Sequence, residues 1–229
     1  MPQLLITGAN RGIGLALTQV YLAAGWDVLA CCRDPETADE LLDLVNEFQG
    51  LEVFALDVTD YEAVADLAAE LEGRGLDLLL NNAGYYGPKG LQLGQLPVDE
   101  WRTVFEVNSI APCKLAEAFL PHLIQAKGII ANISSKVGSM ADNQSGGGYL
   151  YRSSKAALNS ITKSLALDLA DVGVKAVALH PGWVQTSMGG PNALIDVDTS
   201  AAGMKQLLDN LSQAQSGGFY DYCGNSIPW

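Results

Sequence analysis

Near its N-terminus the chain reads Leu4-Leu5-Ile6-Thr7-Gly8-Ala9-Asn10-Arg11-Gly12-Ile13-Gly14. The apolar run predicts a buried strand, and the residues from Gly12 onward have the pattern of a helix that ends at Gly25. Glycines between a strand and a helix permit a tight turn and let the backbone approach a pyrophosphate, which would lie at the positive end of the helix. The spacing is G-x-x-x-G-x-G rather than G-x-G-x-x-G, so a purely structural glycine turn is the alternative interpretation.

Strand and helix patterns alternate along the rest of the chain. Predicted strands lie at Leu4–Thr7, Asp27–Cys32, Leu51–Leu56, Leu76–Asn81, Gly128–Ser134, Val174–His180 and, as a short last strand, Gly218–Asp221. Predicted helices lie at Gly12–Gly25, Pro35–Phe48, Tyr61–Leu71, Val98–Leu123, Tyr149–Ala170 and Ala201–Leu211. Pro112 should bend the long fourth helix or mark a local break in it. Alternation of this kind implies right-handed crossovers. We therefore predict an α/β protein: a single-domain Rossmann fold over 1–229, with a doubly wound, mostly parallel sheet and helices on both faces.

Composition and charge exclude several classes of protein. With 48% hydrophobic and 17% charged residues over 229 positions, the chain is globular rather than disordered. A formal net charge of −13 argues against nucleic acid or an anionic membrane surface as a partner. No apolar run reaches the roughly 18 residues that a membrane helix needs, and the first residues lack the basic segment of a signal peptide. We therefore expect a cytoplasmic protein. The cysteines match no metal or disulfide spacing, which predicts reduced thiols and no metal site: they are Cys31, Cys32, Cys113 and Cys223.

Polar or glycine-containing segments follow directly after most of the predicted strands. These segments are Thr7–Gly14, Arg33, Asp57, Asn81–Gly84, Ser134–Ser135 and His180–Gly182. In a doubly wound sheet, ligands bind beyond the carboxyl ends of the strands. The agreement of these separate segments predicts one binding site at that edge of the sheet.

The end of the second strand indicates which dinucleotide binds. A cofactor without a 2′-phosphate usually meets an acidic residue there, but this chain has Cys32 and Arg33. Arg33 can pair with a 2′-phosphate, and Arg11 in the glycine loop can add a second positive contact. We predict NADP(H) as the preferred cofactor; if Arg33 is only a solvated surface charge, NAD(H) binds as well. Asp57 is placed to contact the adenine amino group.

Tyr151 and Lys155 lie four residues apart, and therefore on one face of a helix. A free tyrosine hydroxyl has a pKa of about 10, and a nearby ammonium lowers it by favouring the phenolate. Such a tyrosine can donate a proton to a carbonyl or accept one from an alcohol. Tyr149 is a weaker candidate, because the residue four positions after it is Ser153.

Taken together, these motifs resemble those of the short-chain dehydrogenase/reductase family over essentially the whole chain. The matching segments are the Thr7–Gly14 loop, Asp57-Val58, Asn81-Asn82-Ala83-Gly84, Asn108, Ser134-Ser135, Tyr151-x-x-x-Lys155 and Pro181-Gly182. A narrower set of segments is similar to the C-factor-like, carbonyl-reductase-like branch of that family: Tyr149–Asn159, Pro181–Asn192 and Pro228-Trp229.

The resemblance implies a catalytic tetrad of Asn108, Ser135, Tyr151 and Lys155. Tyr151 would be the acid and base, and Lys155 would lower its pKa and bind the nicotinamide ribose. Ser135 would hold the substrate oxygen, and Asn108 would anchor a water relay to Lys155. The separation between Ser135 and Tyr151 is longer than is usual in many relatives, which leaves Ser139 as an alternative to Ser135.

The residues predicted to bind the cofactor come from the glycine loop and from the resemblance. They are Gly8, Asn10, Arg11, Gly12, Ile13, Gly14, Arg33, Asp57, Val58, Asn82, Ala83, Gly84, Tyr151, Lys155, Pro181, Gly182, Val184 and Thr186. A stretch with Gly, Pro and Asn, approximately 188–203, predicts a mobile substrate lid.

The predicted function is that of an NADP(H)-dependent oxidoreductase. It would transfer hydride reversibly between the nicotinamide and a small carbonyl or alcohol substrate, in the manner of a carbonyl reductase. The alternative is a dinucleotide-binding signalling or regulatory protein of the C-factor type, with little or no turnover. The family's usual contact through Val98–Leu123 and Tyr149–Ala170 implies a homodimer or homotetramer.

Overall fold

The structure, a computed structural model, describes all 229 residues and contains one seven-stranded sheet. Its strands are β1 (Gln3–Thr7), β2 (Asp27–Cys32), β3 (Leu51–Ala55), β4 (Leu78–Asn81), β5 (Ile129–Ile133), β6 (Lys175–His180) and β7 (Phe219–Asp221). They are all parallel and lie in the order β3-β2-β1-β4-β5-β6-β7. The helices are α1 (Gly12–Ala23), α2 (Asp39–Glu47), α3 (Tyr61–Glu70), α4 (Val98–Phe105), α5 (Ala111–Ala118), α6 (Leu120–Ala126), α7 (Tyr149–Asp168) and α8 (Val197–Asp209). None of them combines the length and the apolar composition needed to cross a membrane.

Both faces of the sheet are covered, as the near-continuous apolar strands require. Successive side chains of β1 point to opposite faces, so Leu4 and Ile6 belong to one apolar cluster and Leu5 to another. Buried residues of α1, α2 and α8 complete the first cluster, and those of α3, α5 and α7 complete the second. The predicted fold class, a doubly wound Rossmann sheet, is confirmed.

The strand order reverses at β1, which fixes the place of the site. β1 pairs with β2 on one side and with β4 on the other. After Thr7, the last residue of β1, the chain continues into the half of the sheet that contains β2. After Asn81, the last residue of β4, it continues into the other half, which contains β5. A crevice opens at such a reversal, beyond the carboxyl ends of the strands.

The helix predicted over Val98–Leu123 is wrong as one continuous element. A π-helical turn at Glu106–Ile110 separates α4 from α5, and a second break at Phe119 separates α5 from α6. Proline has no N–H and its ring clashes with the carbonyl four residues earlier, so Pro112 denies Asn108 its ordinary helical donor. The local break that was expected at Pro112 is therefore the π-helical turn at Glu106–Ile110, which precedes this proline.

Two other boundaries also need correction. The segment predicted as helical from Pro35 forms a short 3-10 turn at Pro35–Thr37, and α2 begins only at Asp39. The lid predicted at approximately 188–203 is too long, because α8 begins at Val197. Asp196 caps that helix, and its side chain accepts from the Thr199 amide at 2.7 Å. The helix predicted at Ala201–Leu211 therefore begins four residues earlier than expected, and the ends predicted for the remaining elements lie within two residues of the observed ones.

Candidate active site

A cleft of about 1510 Å³ lies at the carboxyl edge of the sheet. Every residue predicted to bind the cofactor lines it, and so do Ser135, Tyr151 and Lys155 of the predicted tetrad. Asn108 does not reach the cleft surface, because it is fully buried behind it. The cleft is large enough for a dinucleotide together with a small second molecule.

The glycine loop forms one end of this cleft and is built for close backbone approach. Gly8 and Gly12 have φ angles of +66° and +55°, which side chains other than glycine rarely adopt. A Cβ on Gly14 would collide with the carbonyl oxygen of Gly8. Asn82 holds the loop by donating from Nδ2 to the carbonyl oxygens of Thr7 (2.9 Å) and Gly8 (3.0 Å). The glycine loop is therefore a cradle that fits a pyrophosphate, and the hydrogen bonds of Asn82 fix the shape of this loop.

Two cations stand where a 2′-phosphate would lie. Arg11 and Arg33 are exposed and line the cleft beside the end of β2. The pKa of Asp57 is lowered, first by hydrogen bonds from the Thr59 amide and hydroxyl and also by the positive charge of Arg33. Since Thr59 occupies one carboxylate oxygen of Asp57, the other remains for a donor such as an adenine amino group.

Lys155 and Tyr151 share one face of α7, as their spacing predicts. Lys155 is 4% exposed, and its Nζ donates to the carbonyl oxygen of Ile133 at 2.7 Å and lies 5.6 Å from the centroid of the Tyr151 ring. Burial lowers the pKa of Lys155 to about 7. The ammonium charge is therefore only partly present at neutral pH.

The pKa of Tyr151 shifts in the direction opposite to the predicted one. Burial raises it, the neighbouring Tyr86 raises it further, and a hydrogen bond with the Ser135 hydroxyl lowers it to a smaller extent. The prediction relied on a nearby Lys155 ammonium, but burial lowers the pKa of Lys155 and its Nζ is bonded to Ile133. At neutral pH the Tyr151 hydroxyl consequently carries its proton.

The structure distinguishes Ser135 from its two serine neighbours. Ser135 follows β5 and lines the cleft, and its hydroxyl is the group that lowers the pKa of Tyr151. Ser139 is buried outside the cleft, where its hydroxyl donates to the Trp229 carbonyl oxygen and accepts from the Asp142 amide. Ser134 is turned toward α7 and donates to Asn159 Oδ1 at 2.6 Å. Of the three, only Ser135 is placed to hold a substrate oxygen next to Tyr151.

Asn108 lies in the π-helical turn, and its side chain is fully engaged. Its Oδ1 accepts from the Tyr85 amide at 2.8 Å, and its Nδ2 donates to the Tyr85 carbonyl oxygen (2.8 Å) and to Ser154 Oγ (3.0 Å). The side chain thus fixes the loop after β4 against α7. Because Pro112 has no N–H, the backbone carbonyl of Asn108 lacks its ordinary donor four residues on.

Replacing Asn108 with alanine should destabilise the protein by about 2–4 kcal/mol, because the buried Tyr85 backbone groups and the Ser154 hydroxyl lose their partner. Chemical denaturation would measure the change in the free energy of unfolding. Asn210→Ala is the matched control, since Asn210 is exposed and bonds only within its own helix turn. A change at Asn108 no larger than that at Asn210 would contradict this account.

Sequence reasoning missed several contacts at the substrate end of the cleft. The ring of Tyr86 stacks on that of Tyr151 at a centroid distance of 4.6 Å. Lys89 lies over Tyr86 and donates to the Met188 carbonyl oxygen across the cleft at 3.1 Å. Arg152, next to Tyr151 in α7, also lines the cleft. Tyr85, Tyr86 and Trp183 were the aromatic residues in the sequence that indicated such a wall, and no motif marks Lys89 or Arg152.

The model of the family described as short chain dehydrogenase matches residues 3–194. The chain belongs to the short-chain dehydrogenase family. It is therefore an oxidoreductase by family, and the family prediction made from the motifs is confirmed.

Three members of the short-chain dehydrogenase family show how similar this chain is to known proteins. It is 43% identical to the C-signal of Myxococcus xanthus over 155 residues, which are 67% of this chain and 93% of that protein. The carbonyl reductase Sniffer of D. melanogaster is 38% identical, with a TM-score of 0.97 and complete coverage of both chains. An NADPH-bound carbonyl reductase from chicken fatty liver is 39% identical, with a TM-score of 0.94 over 100% of this chain and 99% of that chain.

Proposed function

We propose that the protein is an NADP(H)-dependent carbonyl reductase, which transfers hydride reversibly between the cofactor and a small carbonyl or alcohol substrate. The observation that carries this proposal is the arrangement of the cleft. A pyrophosphate cradle and two arginines occupy one end, and Ser135, Tyr151 and Lys155 converge at the other. The likeness to carbonyl reductases, one of them NADPH-bound, supports the same conclusion.

The cofactor would be held along the length of the cleft. The loop Gly8–Gly14 would bind the pyrophosphate, Arg11 and Arg33 the 2′-phosphate, and Asp57 the adenine amino group. Pro181, Gly182 and the neighbouring residues Val184 and Thr186, which line the cleft after β6, would contact the nicotinamide end. When bound, the nicotinamide supplies the hydride for reduction or accepts it in oxidation.

The side chains would orient the substrate and move the proton. Ser135 and Tyr151 would donate hydrogen bonds to the substrate oxygen, and Tyr151 would then give it a proton as negative charge builds there. The raised pKa of Tyr151 keeps the phenol protonated at neutral pH, which is the form that reduction requires. Lys155 would bind the ribose, and a water on the Asn108 carbonyl would return the proton through it.

Replacing Arg33 with alanine should lower kcat/KM for NADPH by about tenfold or more and leave that for NADH within about twofold, because only the 2′-phosphate loses its charge partner. Steady-state kinetics with both cofactors would measure the ratio. Arg102→Ala removes one exposed arginine outside the cleft and serves as the control. An unchanged NADPH/NADH ratio in Arg33→Ala would show that this arginine does not select the cofactor.

The absorbance of NADPH, followed against a panel of aldehydes, ketones and quinones with NADH in parallel, tests the function itself. Oxidation of NADPH that depends on the added carbonyl, and that is lost in Tyr151→Phe, is the expected result. Tight NADPH binding without oxidation on any of the compounds would count against turnover as the role of the protein.

A second candidate function is signalling through dinucleotide binding, favoured by the 43% identity to the C-signal of Myxococcus xanthus. A protein that only binds the dinucleotide has no use for a protonated tyrosine in contact with a serine. The two functions differ in one observable: a signalling role would survive Tyr151→Phe, whereas a reductase would lose its activity.

The oligomeric state follows as a further part of this proposal. We infer a homodimer or homotetramer that packs through α4, α5 and α7. An apolar groove on this side of the molecule is lined by Val98, Trp101, Phe105 and Ile110. Light scattering coupled to size-exclusion chromatography would measure the mass; a monomer at micromolar concentration would exclude the assembly.

A further inference from the structure

The charge of the cleft is opposite to that of the protein as a whole. The chain has 13 lysines and arginines against 26 aspartates and glutamates. Six of the cations line the cleft, namely Arg11, Arg33, Lys89, Lys136, Arg152 and Lys155, but only three of the acids, namely Asp34, Asp57 and Asp142. A cleft lined by one sign of charge concentrates ligands of the other sign. Its occupants should therefore be anionic.

The cofactor accounts for only part of this positive charge. Arg11 and Arg33 stand at the phosphate end, and Lys155 lies beside the reacting tyrosine. Three cations remain at the substrate end, and of these Lys136 pairs with Asp142 at 3.5 Å. That leaves Lys89 and Arg152 without an assigned role.

Neither Lys89 nor Arg152 is paired with a carboxylate. Lys89 donates to a carbonyl oxygen, that of Met188, at 3.1 Å. Arg152 donates to the Val137 carbonyl oxygen at 3.1 Å and to Ser145 Oγ at 2.8 Å. Because these acceptors are neutral, both positive charges are uncompensated, although the chain has 26 aspartates and glutamates.

Lys89 lies close to the reacting group, and Arg152 lines the same cleft. The ammonium of Lys89 is 5.4 Å from the centroid of the Tyr86 ring, and that ring stacks at 4.6 Å on Tyr151. Arg152 reaches the cleft from α7, with its guanidinium bonded to Val137 and Ser145. A molecule whose carbonyl oxygen reaches the Tyr151 hydroxyl would thus run along the Tyr86 ring toward Lys89.

We propose that the substrate is a carbonyl compound with a carboxylate group, and that Lys89 and Arg152 bind this carboxylate while the Tyr86 ring packs against the spacer between the two groups. The proposal rests on the proposed reductase function and names its substrate class. A flat, apolar spacer such as a benzene ring matches an aromatic wall between the two polar ends. A surface-accessible ammonium can discriminate an acid from its ester by several-fold in affinity.

A matched pair of probes tests this subsite: 4-carboxybenzaldehyde and its methyl ester, methyl 4-formylbenzoate. Both would be titrated into the complex with NADP⁺, in which no hydride is available for reduction. The fluorescence of Trp183, which lines the cleft and is 50% exposed, provides the signal. We expect the acid to bind about tenfold more tightly than the ester at low salt, and the difference to shrink as salt is added.

Three variants locate the effect. Lys89→Gln and Arg152→Gln should each weaken binding of the acid by about threefold and change that of the ester by less than about twofold. Lys163→Gln removes the same charge from an exposed site outside the cleft and should change neither. Circular dichroism would check that each variant is folded.

Equal binding of acid and ester would overturn the proposal, and so would an acid preference that survives in both Lys89→Gln and Arg152→Gln, or the failure of both probes to bind. The proposed function is tested separately by NADPH oxidation with the neutral ester. Turnover of the ester that is lost in Tyr151→Phe would leave the reductase function in place even if the carboxylate subsite failed.

Discussion

Replacing Tyr151 with phenylalanine is expected to lower kcat for the best carbonyl substrate by at least about two orders of magnitude, since a positioned general acid contributes about 10²–10⁴-fold. The variant keeps the ring, and with it the stack on Tyr86 at 4.6 Å. It removes only the hydroxyl that would donate the proton. The affinity for NADPH should therefore stay within about twofold, which fluorescence titration would measure.

Tyr149→Phe provides the matched control for this experiment. Tyr149 lies two residues earlier in the same helix, is 38% exposed and does not line the cleft. Its variant should retain full turnover. If Tyr149→Phe and Tyr151→Phe lost activity equally, or if Tyr151→Phe kept near-normal turnover, the assignment of Tyr151 as the acid would be wrong.

The fold could be predicted from the sequence because its signals are local. Buried parallel strands read as apolar runs, and Gly8, Gly12 and Gly14 mark a turn between strand and helix whose backbone angles and close contacts disfavour side chains. Each strand then delivers its last residues to the same edge of the sheet, which is why segments as distant as Gly8 and Thr186 meet in one cleft. Their convergence follows from topology and needs no knowledge of side-chain packing.

The features that escaped prediction depend on packing between distant segments. The pKa of Tyr151 is set by burial and by Tyr86, and its sign cannot be read from the spacing of Tyr151 and Lys155. The engagement of the Asn108 side chain depends on a loop that returns to the helix at Tyr85. Lys89 and Arg152 come from different elements and carry no motif, so only the cleft shows that they face the same space.

Replacing Lys155 with methionine should have two effects of opposite sign: turnover falls by about two orders of magnitude, while the protein without cofactor becomes more stable. The first effect follows from the proposed role of Lys155 as the anchor of the nicotinamide ribose, because a misplaced nicotinamide transfers hydride poorly. The second follows because methionine fills the same space without a charge to desolvate. Enzyme assays and thermal denaturation would measure the two effects on the same samples.

The pH dependence of the stability difference tests the cause of this gain. In the folded protein the pKa of Lys155 is about 7, below the ordinary 10.5 of the unfolded chain. Between these values the unfolded state binds more protons than the folded state, so the stability of the wild type rises with pH from about 7 to about 10.5. Below pH 7 the cost of burying the charge is fully present. The methionine variant lacks this slope.

The advantage of Lys155→Met should consequently be largest near pH 6.5 and shrink toward pH 10. Each unit by which the pKa is lowered corresponds to about 1.4 kcal/mol, and the lost bond to Ile133 offsets part of the total. A net gain of about 2 kcal/mol at pH 6.5 would raise Tm by about 4–8 °C.

Lys175→Met is the control, since Lys175 also donates to a backbone carbonyl, that of Leu211, but is only half-buried. A stability gain at Lys155 that did not change with pH would mean that packing, and not the buried charge, is the cause. A gain that vanishes at high pH would show that the buried charge of Lys155 is what destabilises the wild type.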